Sequence, residues 1–530
     1  MRSVGWLAAA VVSAIPGVLA AQSGAYRTLQ NGRELTVEVY RWSGDTLDAT
    51  ADVPLAGHRI VTRTVYDAAF EPLAYDLHVF SLATGAQLQA IEVAFSDSVR
   101  LTANGHALAA RALPPPRAVM QNLLWSHLAA MTRRLAASGD TSLVLHTFLV
   151  DNALPLDLTL SRRGRVVTAS LSGIDVVLTP GPDGGLDSAE VPSQGLRVER
   201  VPAESVSASR PLQARAPAPV PPGVTEEPYQ WTDGAQHLEG TLALPAHPEG
   251  RVPVVLIIAG SGPTDRDGNS RLGLTSDLYK KLAWALAVRG IASVRYDKRG
   301  IGTSTLSGSW EQVTFDDFAR DAVEGARALA ADQRFSRVVL LGHSEGASLA
   351  TRAANLGAPV AGVAMLAGIG RPLTTVLREQ VTPQLDSAQR AAFERTMAAY
   401  LGAGPMPDVP AELRALFNAS ARRFLQTESE HDPAAEARRV KVPLLVLQGT
   451  TDIQVSVSDA EALRAARPDA EVHVIPDANH LFVHVATRDR AAQLMTYNDP
   501  TLPLVPDLVP LVAAFVERVA ASPAPAAERP

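Results

Sequence analysis

The run Val338-Val-Leu-Leu-Gly-His-Ser-Glu-Gly346 decides how this chain is read. Four apolar residues form a short buried strand, and Gly346 to Asn355 then takes up helical spacing. Between them lies Gly342-His343-Ser344-Glu345-Gly346, a G-x-S-x-G pattern in strand–turn–helix context. The chain has to reverse from strand to helix at a single residue, which strains Ser344. Side chains at positions 342 and 346 would run into neighbouring backbone, so glycine stands at both. The turn lifts a serine hydroxyl to a helix N-terminus, where free amides favour developing negative charge.

A serine hydroxyl needs a base, and the base needs an orienting carboxylate. Downstream, Leu444-Leu-Val-Leu-Gln-Gly-Thr-Thr-Asp452 puts an acid after a strand, and Ile475-Pro-Asp-Ala-Asn-His480 puts a histidine after the next one. Asp452 and His480 are the expected partners of Ser344. The competing acids are weaker: Asp459 falls inside the following helix, Asp477 adjoins the histidine, and Asp432 precedes the strand. Of the competing bases, His473 lies inside a strand and His484 lies past the strand-exit loop.

The surrounding elements alternate. Tyr229–Pro245 reads as a hairpin turning at Asp233-Gly234, and Val252–Ala259 as a strand buried on both faces. Helix Asp277–Arg289 is closed by Gly290, and strand Ile291–Tyr296 follows. Thr314 with Asp317 forms a capping box for the next helix. Strands 338–341, 360–366, 444–447 and 472–475 and helices 346–355, 458–466 and 507–521 complete an α/β pattern with a mostly parallel sheet. After the first buried strand comes Gly260-Ser261-Gly262-Pro263. Here the backbone N–H of Ser261, with Gly262 second, is the expected oxyanion donor beside that of Glu345. The continuation Thr264-Asp-Arg-Asp-Gly-Asn269 reads as an internally hydrogen-bonded loop. It lacks the further acids of a 12-residue calcium loop.

Taken together, Ile257-Ile-Ala-Gly-Ser-Gly-Pro-Thr-Asp-Arg-Asp-Gly-Asn269, Arg295-Tyr-Asp-Lys-Arg-Gly-Ile-Gly-Thr-Ser304, Gly342-His-Ser-Glu-Gly346, Gly449-Thr-Thr-Asp452 and Asn479-His480 resemble an α/β-hydrolase of the serine-esterase and serine-aminopeptidase-like group. The chain order Ser, Asp, His agrees with that family. The resemblance covers about 229–521 and implies an α/β-hydrolase fold, with residues 297–304 bracing the end of the sheet. It also implies a helical cap insert at about 371–440, patterned as helices over 387–401 and 411–427. The family's usual His-Gly is Ala259-Gly260 here.

Upstream, residues 25–201 alternate like strands, for example Glu34–Tyr40, Leu73–Leu82, Leu88–Phe95, Ser142–Val150 and Val166–Leu171. Arg117–Ala136 alone has helical spacing. This is expected to be a mostly antiparallel β domain with one helix. Its histidines (His58, His78, His106, His127, His146) are too scattered to be metal ligands. Pro202–Pro228, containing RPLQARAPAPVPPG, reads as an extended linker, and 522–530 as a disordered tail. Arg2 followed by the apolar run Val4–Ala21 reads as a signal peptide over residues 1–20, with export to the periplasm or medium. The alternative is an uncleaved anchor. No later segment of the sequence is apolar enough to span a bilayer.

Composition narrows the chemistry. The chain has 530 residues, a formal net charge of −7, no cysteine and 46% hydrophobic residues. These figures exclude a disulfide scaffold, a thiolate metal site and a catalytic thiol, and they leave no basic footprint for nucleic acid. Lysine occurs only at positions 280, 281, 298 and 441, against 44 arginines, which reads as compositional bias. The expected protein is a serine hydrolase, a carboxylesterase acting on a small-molecule ester, with no metal or organic cofactor. The alternatives are a peptidase or amidase using the same three residues on a peptide-like substrate, and a non-catalytic binding protein on this fold.

Overall fold

Strand Val252–Ile258 shows why the second half of the chain folds as it does. Val255 and Ile257 enter one apolar cluster, and Val254, Leu256 and Ile258 enter another, each at most 1% exposed. Side chains alternate across a strand, so an unbroken apolar run requires helices on both faces. The computed structural model describes residues 22–522 except 31, 55–56, 83–84, 97, 104–105, 108–109, 111, 123, 151–153, 172–173, 184, 211–217, 271–273, 411–412 and 414–415. The expected signal peptide and nearly all of the expected tail lie outside the described residues. The chain divides into two compact units, residues 1–215 and 216–530.

In the second unit an eight-stranded sheet runs in the order Val224–Asp233, Gln236–Pro245, Ala292–Tyr296, Val252–Ile258, Phe335–His343, Gly362–Leu366, Leu444–Gly449, Glu471–Ile475. The first two strands are the antiparallel hairpin, and the other six are mutually parallel. Helices Leu278–Val288 and Leu508–Ala521 cover one face. Helices Phe315–Ala331, Glu345–Asn355 and Val457–Ala466 cover the other. Burying each strand Val, Leu or Ile contributes roughly 1.5–3 kcal/mol. The Thr314–Asp317 capping box forms, with Asp317 N–H donating to Thr314 Oγ1 at 3.2 Å and Thr314 N–H donating to Asp317 Oδ2 at 2.7 Å.

The insert holds helices Leu373–Val381, Ser387–Leu401 and Ala419–Ser429 around its own core of Phe393, Met397, Tyr400 and Phe417, while helix Pro433–Arg439 packs Ala437 against the sheet. The expected helix 411–427 is corrected here. It begins at Ala419, where Asn418 Oδ1 accepts the Ala421 N–H, and Leu413 and Phe417 pack into the insert core ahead of it. Helix Arg490–Thr496 has no counterpart in the sequence reading.

The first unit is a 15-stranded sheet in which every pairing is antiparallel except that of Arg117–Met120 with His146–Leu149. Strands pair with their sequence neighbours, and Gln22–Gln30 joins Leu196–Val201 to unite the two halves. The expected helix 117–136 is corrected. Its first residues are that parallel strand, and the helix is Trp125–Ser138. Leu124 has no capping side chain. Instead the Glu38 carboxylate, from strand Arg33–Ser43, accepts the N–H of Trp125 at 2.7 Å and of Ser126 at 3.2 Å. Burial pushes Glu38 up to about 7. The helix packs Leu128, Met131 and Leu135 against Tyr26, Tyr40 and Trp42 of the sheet. The expected extended linker is corrected where it is described, at 202–210 and 218–228. Short 3₁₀ turns at 203–205 and 207–209 flank a buried Val206, Ala208 inside the second turn is buried too, and strand Val224–Asp233 begins before Pro228.

Candidate active site

Ser344 sits at φ 55°, ψ −125°, a conformation that costs a non-glycine residue about 1–3 kcal/mol and persists only where packing enforces it. The packing is backbone against backbone. A Cβ on Gly342 would stand 2.0 Å from the Gly346 carbonyl oxygen, and one on Gly346 would stand 2.2 Å from that of Ile258. Ser344 N–H donates to Leu366 O at 2.8 Å, and Ser344 O accepts the Ala347 N–H at 2.9 Å. The Ser344 side chain is part-exposed, at the start of helix Glu345–Asn355.

Asp452 is 1% exposed, beyond strand Leu444–Gly449. Its Oδ1 accepts the N–H of Gln454 at 2.7 Å and of Val455 at 3.0 Å. Its Oδ2 lies 2.8 Å from His480 Nδ1 and accepts from Gln448 Nε2 at 3.2 Å. Burial alone would raise this carboxyl. The His480 ring and the two backbone donors outweigh it and hold the pKa below its ordinary value. His480, 4% exposed, is fixed by the loop around it. Asn479 Oδ1 accepts the N–H of Leu481 and of Val483, each at 3.0 Å, and Asn479 Nδ2 donates to Thr496.

The structure thus joins Asp452 to His480 directly, and brings His480 against His343, the residue before Ser344. The His343 ring lies 4.8 Å from that of His480, and His343 Nε2 donates to the His480 carbonyl at 2.8 Å. The rival groups have other partners. Asp459 completes a capping box with Ser456 and an ion pair with Arg371, Asp432 caps helix Pro433–Arg439, and His473 pairs with Glu471.

Gly260 leads into the exposed Ser261. A Cβ on Gly260 would stand 3.1 Å from that of Ser344, so this loop passes directly beside the serine. The following loop is internally bonded: Asp265 Oδ1 accepts the N–H of Asp267 and Asn269, and Arg266 pairs with Asp297. Residues 297–304 brace it, with Asp297 also accepting the N–H of Arg266 and Thr303.

Beneath the insert a small cavity is lined by Phe315, Ser348, Ile369, Leu373 and Glu428, with Ser348 one turn beyond Ser344. A larger concavity of about 640 Å³, lined by Tyr229, Thr241, Asp265 and Arg266 among others, includes none of the expected catalytic residues. Among the described residues no cluster of His, Asp or Glu could hold a metal ion, and no helix is long and apolar enough to cross a membrane. The sequence reading missed Tyr279 and Lys298, which pack around this site.

A sequence model of the alpha/beta hydrolase family matches residues 255–494. Esterase EstD of Thermotoga maritima is 30% identical over 253 residues, a match covering 46% of this chain and 58% of that protein. Among solved structures, a proline iminopeptidase of Mycobacterium smegmatis is 17% identical and covers 56% of this chain and 99% of its own, with a TM-score of 0.37. An esterase of Pyrococcus furiosus is also 17% identical and covers 56% of this chain and 91% of its own, with the same TM-score.

Proposed function

We propose that residues 216–530, the unit that holds the alpha/beta hydrolase match at 255–494, are a serine hydrolase cleaving carboxylic esters. His480 donates Nδ1–H to Asp452, which leaves Nε2 free to accept the Ser344 proton. Ser344 Oγ attacks the ester carbonyl carbon, and the carbonyl oxygen gains the electron pair. The N–H groups of Ser261 and Glu345 receive that oxyanion. The C–O bond to the leaving group then breaks, and the alkoxide takes the proton from His480. Water, deprotonated by His480, repeats the attack on the acyl-Ser344 and releases the acid. The scheme calls on no metal or organic cofactor.

The observation that carries the reading is the 2.8 Å His480–Asp452 hydrogen bond on loops adjoining a serine held at positive φ. The likeness to an esterase favours esters over amides as substrates. The sequence of residues 1–21 supports export.

Ser344→Ala tests the proposal. On p-nitrophenyl acyl esters kcat is expected to drop by roughly 10⁶-fold, with the melting temperature unchanged, and a fluorophosphonate probe is expected to label the wild type only. Near-normal hydrolysis by the variant refutes the assignment. A wild type that neither hydrolyses esters nor takes the probe supports a binding protein instead.

A further inference from the structure

Lys298 follows strand Ala292–Tyr296 and is 3% exposed. Its ammonium donates to the Gly260 carbonyl oxygen at 2.5 Å and lies 3.4 Å from Glu345 Oε1. The Phe318 ring centroid is 5.4 Å away. The Gly260 carbonyl and the Ser261 N–H belong to one peptide group. In a planar trans peptide they point in opposite directions, so fixing one fixes the other. Glu345 carries the second N–H of the proposed oxyanion hole. One buried cation therefore grips both chain segments that supply the donors.

The other side of Gly260 is tied as well. Its N–H donates to Tyr279 Oη at 2.9 Å, and that oxygen is 3.0 Å from His343 Nδ1. His343 Nε2 faces the His480 carbonyl, which can only accept, so Nε2 carries the proton and Tyr279 donates to Nδ1. Burial first, and then the neighbouring His480, push His343 down to about 3, which keeps the ring neutral in that tautomer. A set of bonds thus runs from Lys298 through the two peptide groups of Gly260, Tyr279 and His343 to the loop of the base.

We propose that Lys298 is a positioning residue that aims the Ser261 and Glu345 N–H groups at one point before substrate arrives. This rests on the triad reading above. A charge-assisted bond to the Gly260 oxygen also polarises the peptide and makes the Ser261 N–H a stronger donor. In a chain with 44 arginines, a compact ammonium stands here rather than a planar fork. Its charge serves two carboxylates. Glu428 of the insert, 5% exposed, is pushed well above its ordinary value by burial and by Glu345, against the pull of Lys298.

The test compares Lys298→Met, Lys298→Arg and Ser344→Ala with the wild type in the full chain. Active sites are counted with a fluorophosphonate. kcat and KM are measured on p-nitrophenyl butyrate, affinity is measured for an aliphatic trifluoromethyl ketone, and melting temperature is recorded. For Lys298→Met, kcat per active site is expected to drop on the order of 10²-fold. KM is expected to stay nearly fixed and ketone affinity to fall in parallel with kcat/KM. A merely structural lysine would lower the melting temperature and the number of active sites but leave kcat per site alone, and that result overturns the proposal. If Lys298→Met does not fold, Lys298→Arg decides: a smaller loss of kcat with KM unmoved is expected, and wild-type kcat with wild-type ketone affinity overturns the proposal. Ser344→Ala separates the two levels. If it retains activity, the triad reading fails. If it is inactive while the Lys298 variants match the wild type, only the role of Lys298 fails.

Discussion

Replacing Asp452 with asparagine changes one atom and forces a choice. Oδ1 accepts two backbone N–H groups, and Oδ2 faces two side-chain nitrogens, those of His480 and Gln448. If the amide oxygen turns toward His480, its NH₂ meets the N–H groups of Gln454 and Val455, and both are left buried without an acceptor. At roughly 1–3 kcal/mol each that costs about 2–6 kcal/mol. The opposite orientation keeps both backbone bonds and presents NH₂ to His480 Nδ1. The histidine must then accept there and carry its proton on Nε2, where it cannot take one from Ser344. The expected loss in kcat is about 10⁴-fold, or ~5.5 kcal/mol of barrier. The wild-type carboxyl titrates below its ordinary value, so it stays charged through the neutral range and the deficit persists there. Steady-state hydrolysis of a p-nitrophenyl ester, with a melting curve to verify folding, measures it. A folded Asp452→Asn variant within tenfold of wild-type kcat refutes the reasoning.

Gly342→Ala places a Cβ 2.0 Å from backbone that cannot move, whereas Gly404 has nothing within 4 Å of that position. The first substitution is expected to cost 3 kcal/mol or more, roughly the upper end for overpacking. Gly404→Ala is expected to stay within about 0.5 kcal/mol, and thermal unfolding of the two side by side checks the contrast. Glu38 has a folded pKa of about 7 against an ordinary 4.5, so the folded state binds more protons between those values. Its contribution is fully present below about pH 4.5 and is lost as pH rises through about 7, a change of ~3 kcal/mol. Hydrogen exchange in helix Trp125–Ser138, corrected for intrinsic rates, is expected to show easier opening at pH 8 than at pH 5. Glu38→Gln should flatten that difference, and a wild type already flat contradicts the account.

Local signals reached far in the second unit. The turn at Ser344, the capping box at Thr314 and the run Val252–Ile258 each act within a few residues, so spacing alone exposes them. The pairing of Asp452 with His480 was legible because each follows a strand. Where the reading failed, the deciding partner was distant. Arg117–Met120 has helical spacing but pairs with His146–Leu149, about 29 residues on. The cap of helix Trp125–Ser138 comes from Glu38, 87 residues earlier. Lys298 was read only as part of the bracing segment 297–304, since its acceptor lies 38 residues back. Periodicity records which face of an element is apolar; it carries no trace of which buried charge meets which carbonyl.

The sheet of the first unit is open, and an open sheet of this width is a template at both ends. Unpaired N–H and C=O groups along an outer strand invite a further strand from another chain. Here each end offers little to copy. One terminal strand is His106–Ala107, two residues long, and the other is Arg117–Met120, four residues long. The second is entered through Pro114-Pro115-Pro116, three residues with no N–H to give. Fifteen strands are thus carried without a long margin on which fibrils could grow.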